Sequence, residues 1–296
     1  MTGELHGYSS NTAVEAKFIS YLSQNQYMRT ILREEGYGYT YLLRKYIATS
    51  DTSFLNLFIS DFPFNTCETK RFINKLKQIN DSLPVNDKFI IIPIDVTEND
   101  RLPYAKSFFN LIIKWEVANQ TLKREFDSLI GCKSFPNNMS DIKQSLLNYR
   151  CGFDYTFELD SIVNSYIIWQ KMKKTVYKQR QYYLYENILK VQSNFKGNVY
   201  INFGNSHTFI RPKHTAYYLK NDPNFRYRLL IANPYYFNCI NRYSNTHRQY
   251  STKSEGYFHK RYFNRNIKLA KLQRGIYLTK VNEETYIIHV NQPELE

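Results

Sequence analysis

The amino-acid sequence predicts an α/β protein with a mostly parallel central sheet, helices on both faces, a helical insertion and a C-terminal hairpin. Three observations carry this. Short β-branched and aromatic runs alternate with segments of helical period, as in strand–helix repeats. One short motif, glycine followed three residues later by histidine, occurs twice, as Gly3-Glu4-Leu5-His6 and Gly204-Asn205-Ser206-His207. Near the end, two strand-like runs are separated only by Val281-Asn282-Glu283-Glu284, a hairpin signal.

Taken in order, residues 11–24 place Val14, Phe18 and Leu22 at helical spacing, with Asn11 as N-cap. Residues 27–33 read as a strand that delivers Glu34 and Glu35 at its end, and residues 39–48 as the following helix. Residues 66–80 are helical in pattern. Residues 88–96 form an apolar strand ending on Asp95, although Pro93 within it cannot donate to a ladder. Helical periods then run through 104–117, 119–131, 139–149 and 157–194, which together make an insertion over about 104–195. Val199-Tyr200-Ile201-Asn202-Phe203 is a buried strand bounded by Gly204. Residues 227–238 suggest another strand and 239–265 a long loop. Residues 275–280 and 285–290 close the chain as the hairpin. One domain over 1–296 accommodates all of this.

The composition narrows the function classes. With 296 residues and 43% hydrophobic content, the chain can bury a sizeable core. The net charge of +14 attracts acidic partners at long range but does not by itself select nucleic acid. The expected partner is a small-molecule or peptide substrate, and an anionic one suits the charge. Cys67, Cys132, Cys151 and Cys239 are widely spaced, without the pairs of a zinc ribbon. No run of 18 or more apolar residues marks a transmembrane helix. If the first motif is built like the second, a strand of about five or six residues precedes it. Met1-Thr2 leaves no room for one, so the reading expects a missing N-terminal strand, and any targeting segment lost with it.

A histidine presented just after a strand lies at the carboxyl edge of the sheet, where ligands bind in open α/β folds. Two histidines delivered in this way could serve as metal ligands, or as a base paired with a stabiliser. His6 and His207 are therefore the leading site residues. Glu34, at the end of the second strand, repeats the geometry. Asp95 does so too, although a strand-ending aspartate is also an ordinary turn or capping residue. His214, His247, His259 and His289 carry no motif and read as structural or exposed.

Gly3-Glu4-Leu5-His6-Gly7, with the Glu34 region and its helix, resembles the first half of the erythromycin esterase family. Arg180, six intervening residues, Asn187-Ile188, a strand and Gly204-x-x-His207 resemble its second half. The wider superfamily includes ChaN-like haem-binding lipoproteins and the TraB and Tiki proteins. The resemblance covers roughly 1–51 and 178–210, and no arginine stands between Tyr8 and Gln24, where the esterases carry one. It implies a hydrolytic site: His6 as general base, Glu4 and Glu34 orienting it or sharing its proton, and His207 as the second histidine. Arg180 would hold an anionic group or the glutamate. By the Tiki branch, a divalent metal on His6, His207 and Glu34 is the implied cofactor, and by the ChaN branch haem is the alternative, in a non-catalytic binding protein on the same fold. Aromatics interleaved with Arg and Lys over 240–265 motivate a further alternative, a polyanion binder.

Overall fold

The computed structural model describes residues 1–4, 8, 10–61, 67–95, 176–241, 246–250 and 275–291. The expected helices at 104–117, 119–131 and 139–149 lie outside the described residues. The chain divides into two compact units: Met1–Leu32, Thr66–Ile90 and Ile188–Glu296 form the first, and Arg33–Asn65 and Ile91–Asn187 the second. The described strands are β1 (Thr2–Glu4), β2 (Met28–Arg33), β3 (Ile90–Pro93), β4 (Asn198–Gly204), β5 (Ile231–Asn241), β6 (Thr246–Tyr250), β7 (Gly275–Lys280) and β8 (Thr285–Asn291). The helices are α1 (Asn11–Asn25), α2 (Tyr37–Thr49), α3 (Thr52–Asp61), α4 (Cys67–Ser82), α5 (Val176–Val191) and α6 (Thr215–Asn221). This is the α/β class that the alternating pattern predicts.

In the first unit the strands are ordered β2-β4-β1-β5-β8-β7, with β6 attached to β5. β1 runs parallel to both β4 and β5, and β5 parallel to β8. The additions are antiparallel, β7 on β8 and β6 on β5. Because strand side chains alternate between faces, the register of Thr2 with Asn202 and Ala232 puts these three residues on one face. On that face a core forms from Tyr8, Val14, Ala232, Tyr236, Ile288 and Val290, with Phe18 packed against it. Val14 and Phe18, one helical turn apart, are the stripe that seats α1. Tyr8 and Tyr236 stack with centroids 4.3 Å apart.

Local chemistry explains several boundaries. α1 starts after Ser10 rather than at a capping Asn11; the Asn11 side chain instead accepts a hydrogen bond from the Tyr236 hydroxyl. β3 stops at Pro93, which cannot extend a ladder. Gly197, at φ +60° before β4, packs where a Cβ would lie 2.1 Å from the Tyr27 carbonyl, so only glycine fits. β7 and β8 form the predicted hairpin, and the Asn282 side chain accepts from the backbone N–H groups of Glu284 and Thr285, both at 2.9 Å, to close its turn. Part of the expected loop is strand: β5 reaches Asn241, and β6 pairs with it, Cys239 against Arg248. Thr246–Tyr250 has no apolar alternation in its sequence, so no strand period marks it.

In the second unit α2 packs against α3, with Tyr39 edge-on to Phe58 at 5.4 Å. Phe54, Leu55 and Phe58 are the buried stripe of α3, and Asp51 accepts from the Ser53 N–H at 2.8 Å just before it. At the end of β2 the Arg33 carbonyl accepts from the Ile94 N–H at 3.1 Å.

Candidate functional site

The two glycine–histidine motifs begin on neighbouring parallel strands. Gly3 pairs with Phe203 and Glu4 with Gly204, so β1 and β4 end side by side at the same sheet edge. Leu5, His6 and Gly7 lie outside the described residues. His207 follows β4 in a short 3-10 turn, Asn205–Thr208, and is 3% exposed, its ring tilted against Phe203 at 5.4 Å. β1 holds Gly3 within the strand rather than after it. A Cβ on Gly3 would lie 2.6 Å from Asn233 Oδ1, 2.7 Å from Asn205 Oδ1 and 2.9 Å from Thr208 Oγ1. Thr208 Oγ1 lies 2.8 Å from the Asn205 carbonyl and 2.6 Å from Asn233 Oδ1, its one proton shared between them. Thus the glycine of the first motif is the space into which the turn of the second motif packs.

On the opposite face, shared by Thr2, Glu4, Tyr200 and Asn202, the groups are acidic and hydrogen-bonded. Asn202 Nδ2 donates to Glu4 Oε2 at 2.9 Å and to Glu15 Oε2 at 3.3 Å. Thr2 Oγ1 donates to Asn202 Oδ1 at 3.0 Å and lies 2.8 Å from the Tyr200 hydroxyl. Glu4 is half-buried, whereas Glu15, on α1, is 4% exposed.

Two further histidines of this unit are perturbed by burial. His214 donates from Nδ1 to the Ser206 carbonyl at 2.5 Å, which leaves Nε2 as its basic nitrogen. Burial holds its pKa below the usual histidine value, and the charges of Arg211 and His207 push the same way against the carbonyl bond. His289, on β8, is lowered by burial. The reading of both as structural fits their placement, with the addition that His214 braces the residue preceding His207.

The second unit gathers the other predicted residues. Arg180, on α5, donates from Nε to both oxygens of Asp95 at 3.1 Å, and from Nη2 to Glu34 Oε1 at 2.9 Å and to Asp95 Oδ2. Asp95 is fully buried, and the Glu34 side chain is 10% exposed. Arg180 therefore binds the glutamate, one of the two roles the resemblance offers it. Glu35 takes a different partner, Arg33, through Nε at 2.7 Å and Nη2 at 2.5 Å. That separates the two adjacent carboxylates. One turn along α5, Tyr183 is pushed up to about 12, first by burial and then by Tyr37 and Asp95, against a hydrogen bond from Asn187. Asn187 also donates to the Ile94 carbonyl at 3.0 Å.

Sequence reasoning singled out Glu4, Glu34, His207 and Arg180 but missed Glu15, Asn202, Asn205 and Thr208. A glutamate and a strand asparagine carry no motif, so only the parallel register of β1 and β4 could have joined them. Among the described residues no group of three or more His, Cys, Asp or Glu is arranged to hold a metal ion, and no helix is long and apolar enough to cross a membrane.

No family model matches this chain, and no curated protein does. Solved structures do. A protein from Bacillus cereus superposes with a TM-score of 0.57 at 12% identity, over 98% of this chain and 87% of that one. A succinoglycan biosynthesis protein gives 0.51 at 15% identity, over 80% and 64%. An erythromycin esterase, a mutant in its open conformation, gives 0.55 at 12% identity, over 96% and 88%. At these identities the likeness establishes the fold: this chain has the α/β architecture that an erythromycin esterase also has.

Proposed function

We propose that this chain is a hydrolase of the erythromycin esterase-like superfamily, one that cleaves an ester or amide bond. The observation that carries the reading is the register of β1 on β4, which brings the beginnings of both glycine–histidine motifs to one sheet edge. His6 is the general base that takes a proton from water. Glu4 orients the base or shares its proton. His207 is the second histidine, a donor toward the oxygen that gains charge as water attacks. A positioned base contributes about 100- to 10,000-fold, and a preorganised donor a comparable factor. Glu34 with Arg180 is a second candidate group, tested by Glu34→Gln and Arg180→Lys in the same assay. If a divalent ion is bound, His6 and His207 would be the residues of the first unit to hold it, and it would supply Lewis-acid polarisation.

The test is hydrolysis of a panel of small esters and peptides by wild type and His207→Ala. The expected result is turnover of at least one class, with kcat lower by about 100-fold in a variant that still folds. Equal turnover in both would overturn the assignment of His207. Absence of turnover together with a Soret band on haem addition would favour the haem-binding alternative.

A further inference from the structure

A glutamate that orients a catalytic base must itself be held still, because a displacement of about 1 Å can cost about 100-fold in rate. Glu4 stands at the end of a three-residue strand, which gives its side chain little support from β1 itself. The support comes from β4. Asn202 is in register with Thr2, two residues before Glu4, on the face that Thr2 and Glu4 share. From there its amide nitrogen reaches Glu4 Oε2 at 2.9 Å and Glu15 Oε2 at 3.3 Å.

The orientation of this amide is fixed by its neighbours. The amide nitrogen only donates and a carboxylate oxygen accepts, so the NH2 group faces Glu4 and Glu15. The amide oxygen then faces Thr2, whose hydroxyl donates to it at 3.0 Å. With the Thr2 proton committed there, the Tyr200 hydroxyl, 2.8 Å away, donates to Thr2. The bonds run in one direction, Tyr200 to Thr2 to Asn202 to the two glutamates, and each polarises the next. The far end is anchored in the core: Tyr200 is 1% exposed and stacks with Phe18 of α1 at 6.3 Å. Glu15 lies on that same helix, so the amide ties α1 to the inner strand β1, which carries Glu4.

We infer that Asn202 is a positioning residue for Glu4, with Glu15 as the second arm of the same clamp. The catalytic consequence rests on the hydrolase reading above; the clamp itself does not. Asn202 touches no reacting atom. It acts by fixing where the Glu4 carboxylate stands at the end of β1, two residues before His6 in the sequence.

The experiment has one arm for each part. In 15N–1H NMR spectra, the side-chain amide pair of Asn202 is assigned by its loss in Asn202→Leu, or in the similarly shaped Asn202→Asp if the leucine variant does not fold. The clamp predicts that Glu4→Gln and Glu15→Gln each displace this pair by more than a line width. A pair that stays in place in both variants overturns the proposal. In the hydrolysis arm, Asn202→Asp is expected to lower kcat by about 10- to 100-fold with KM within about threefold of wild type. An unchanged kcat in an active enzyme overturns the positioning role. Wild type without turnover would overturn the hydrolase reading alone, because the NMR arm reads the clamp without substrate.

Discussion

His289 gives the clearest pH signature at the scale of single residues. Burial on β8 lowers its pKa, so the folded chain keeps the ring neutral where the unfolded chain, with an ordinary value near 6.5, takes up a proton. A depressed histidine therefore leaves stability intact above about pH 6.5 and erodes it as the pH falls, until the folded form also protonates. His214 acts in the same direction. Urea midpoints measured between pH 7.5 and 5 should fall on the acid side, and His289→Gln should flatten part of that fall. An unchanged slope in the variant would mean that His289 does not contribute. The same burial explains why neither histidine announced itself in the sequence. A histidine without a motif has no periodic signal; its environment is set by the strands and turns around it.

At the scale of elements, α5 is held by its charged side chain as well as by its apolar residues. Arg180 lies between the buried Asp95 and Glu34, and one guanidinium satisfies both carboxylates. Removing it leaves buried negative charge without its partner, which typically costs about 3–5 kcal/mol. Arg180→Leu should therefore lower the urea-derived stability by about that amount, and Arg180→Lys should recover only part, since an ammonium cannot reproduce the two-sided fork. A leucine variant within about 0.5 kcal/mol of wild type would show that the cluster does not hold α5. Elements were legible where a period or a punctuating residue marked them. Gly204 bounded β4, whereas β3 stops at Pro93, short of the expected end near residue 96. β1 was not legible, because three residues are too few for a period, and its pairing is dictated by β4 and β5 on either side. α3 was overlooked although Phe54, Leu55 and Phe58 mark its stripe. β6 had no stripe to find.

At the scale of the whole molecule, the sequence pattern foretold the α/β class because alternating strands and helices admit few architectures. The two glycine–histidine motifs start from neighbouring strands but not from equivalent places, because Gly3 lies within β1 while Gly204 ends β4. The sequence did not disclose the division into two compact units, because contact density is a property of the folded chain. Nor did it disclose the carboxylate–amide network behind Glu4, whose members are 198 and 187 residues apart along the chain. The central claim is that His6 and His207, from the two ends of this pattern, serve one hydrolytic site.

A double-mutant cycle on hydrolysis tests that claim most directly, with wild type, His6→Ala, His207→Ala and the double variant assayed on whichever ester or peptide wild type cleaves. Residues that act as one unit are strongly non-additive. The account predicts that each single variant loses about 100-fold or more in kcat and that the double variant loses little beyond the worse single. Losses that multiply in the double variant, or single variants as active as wild type, would contradict it.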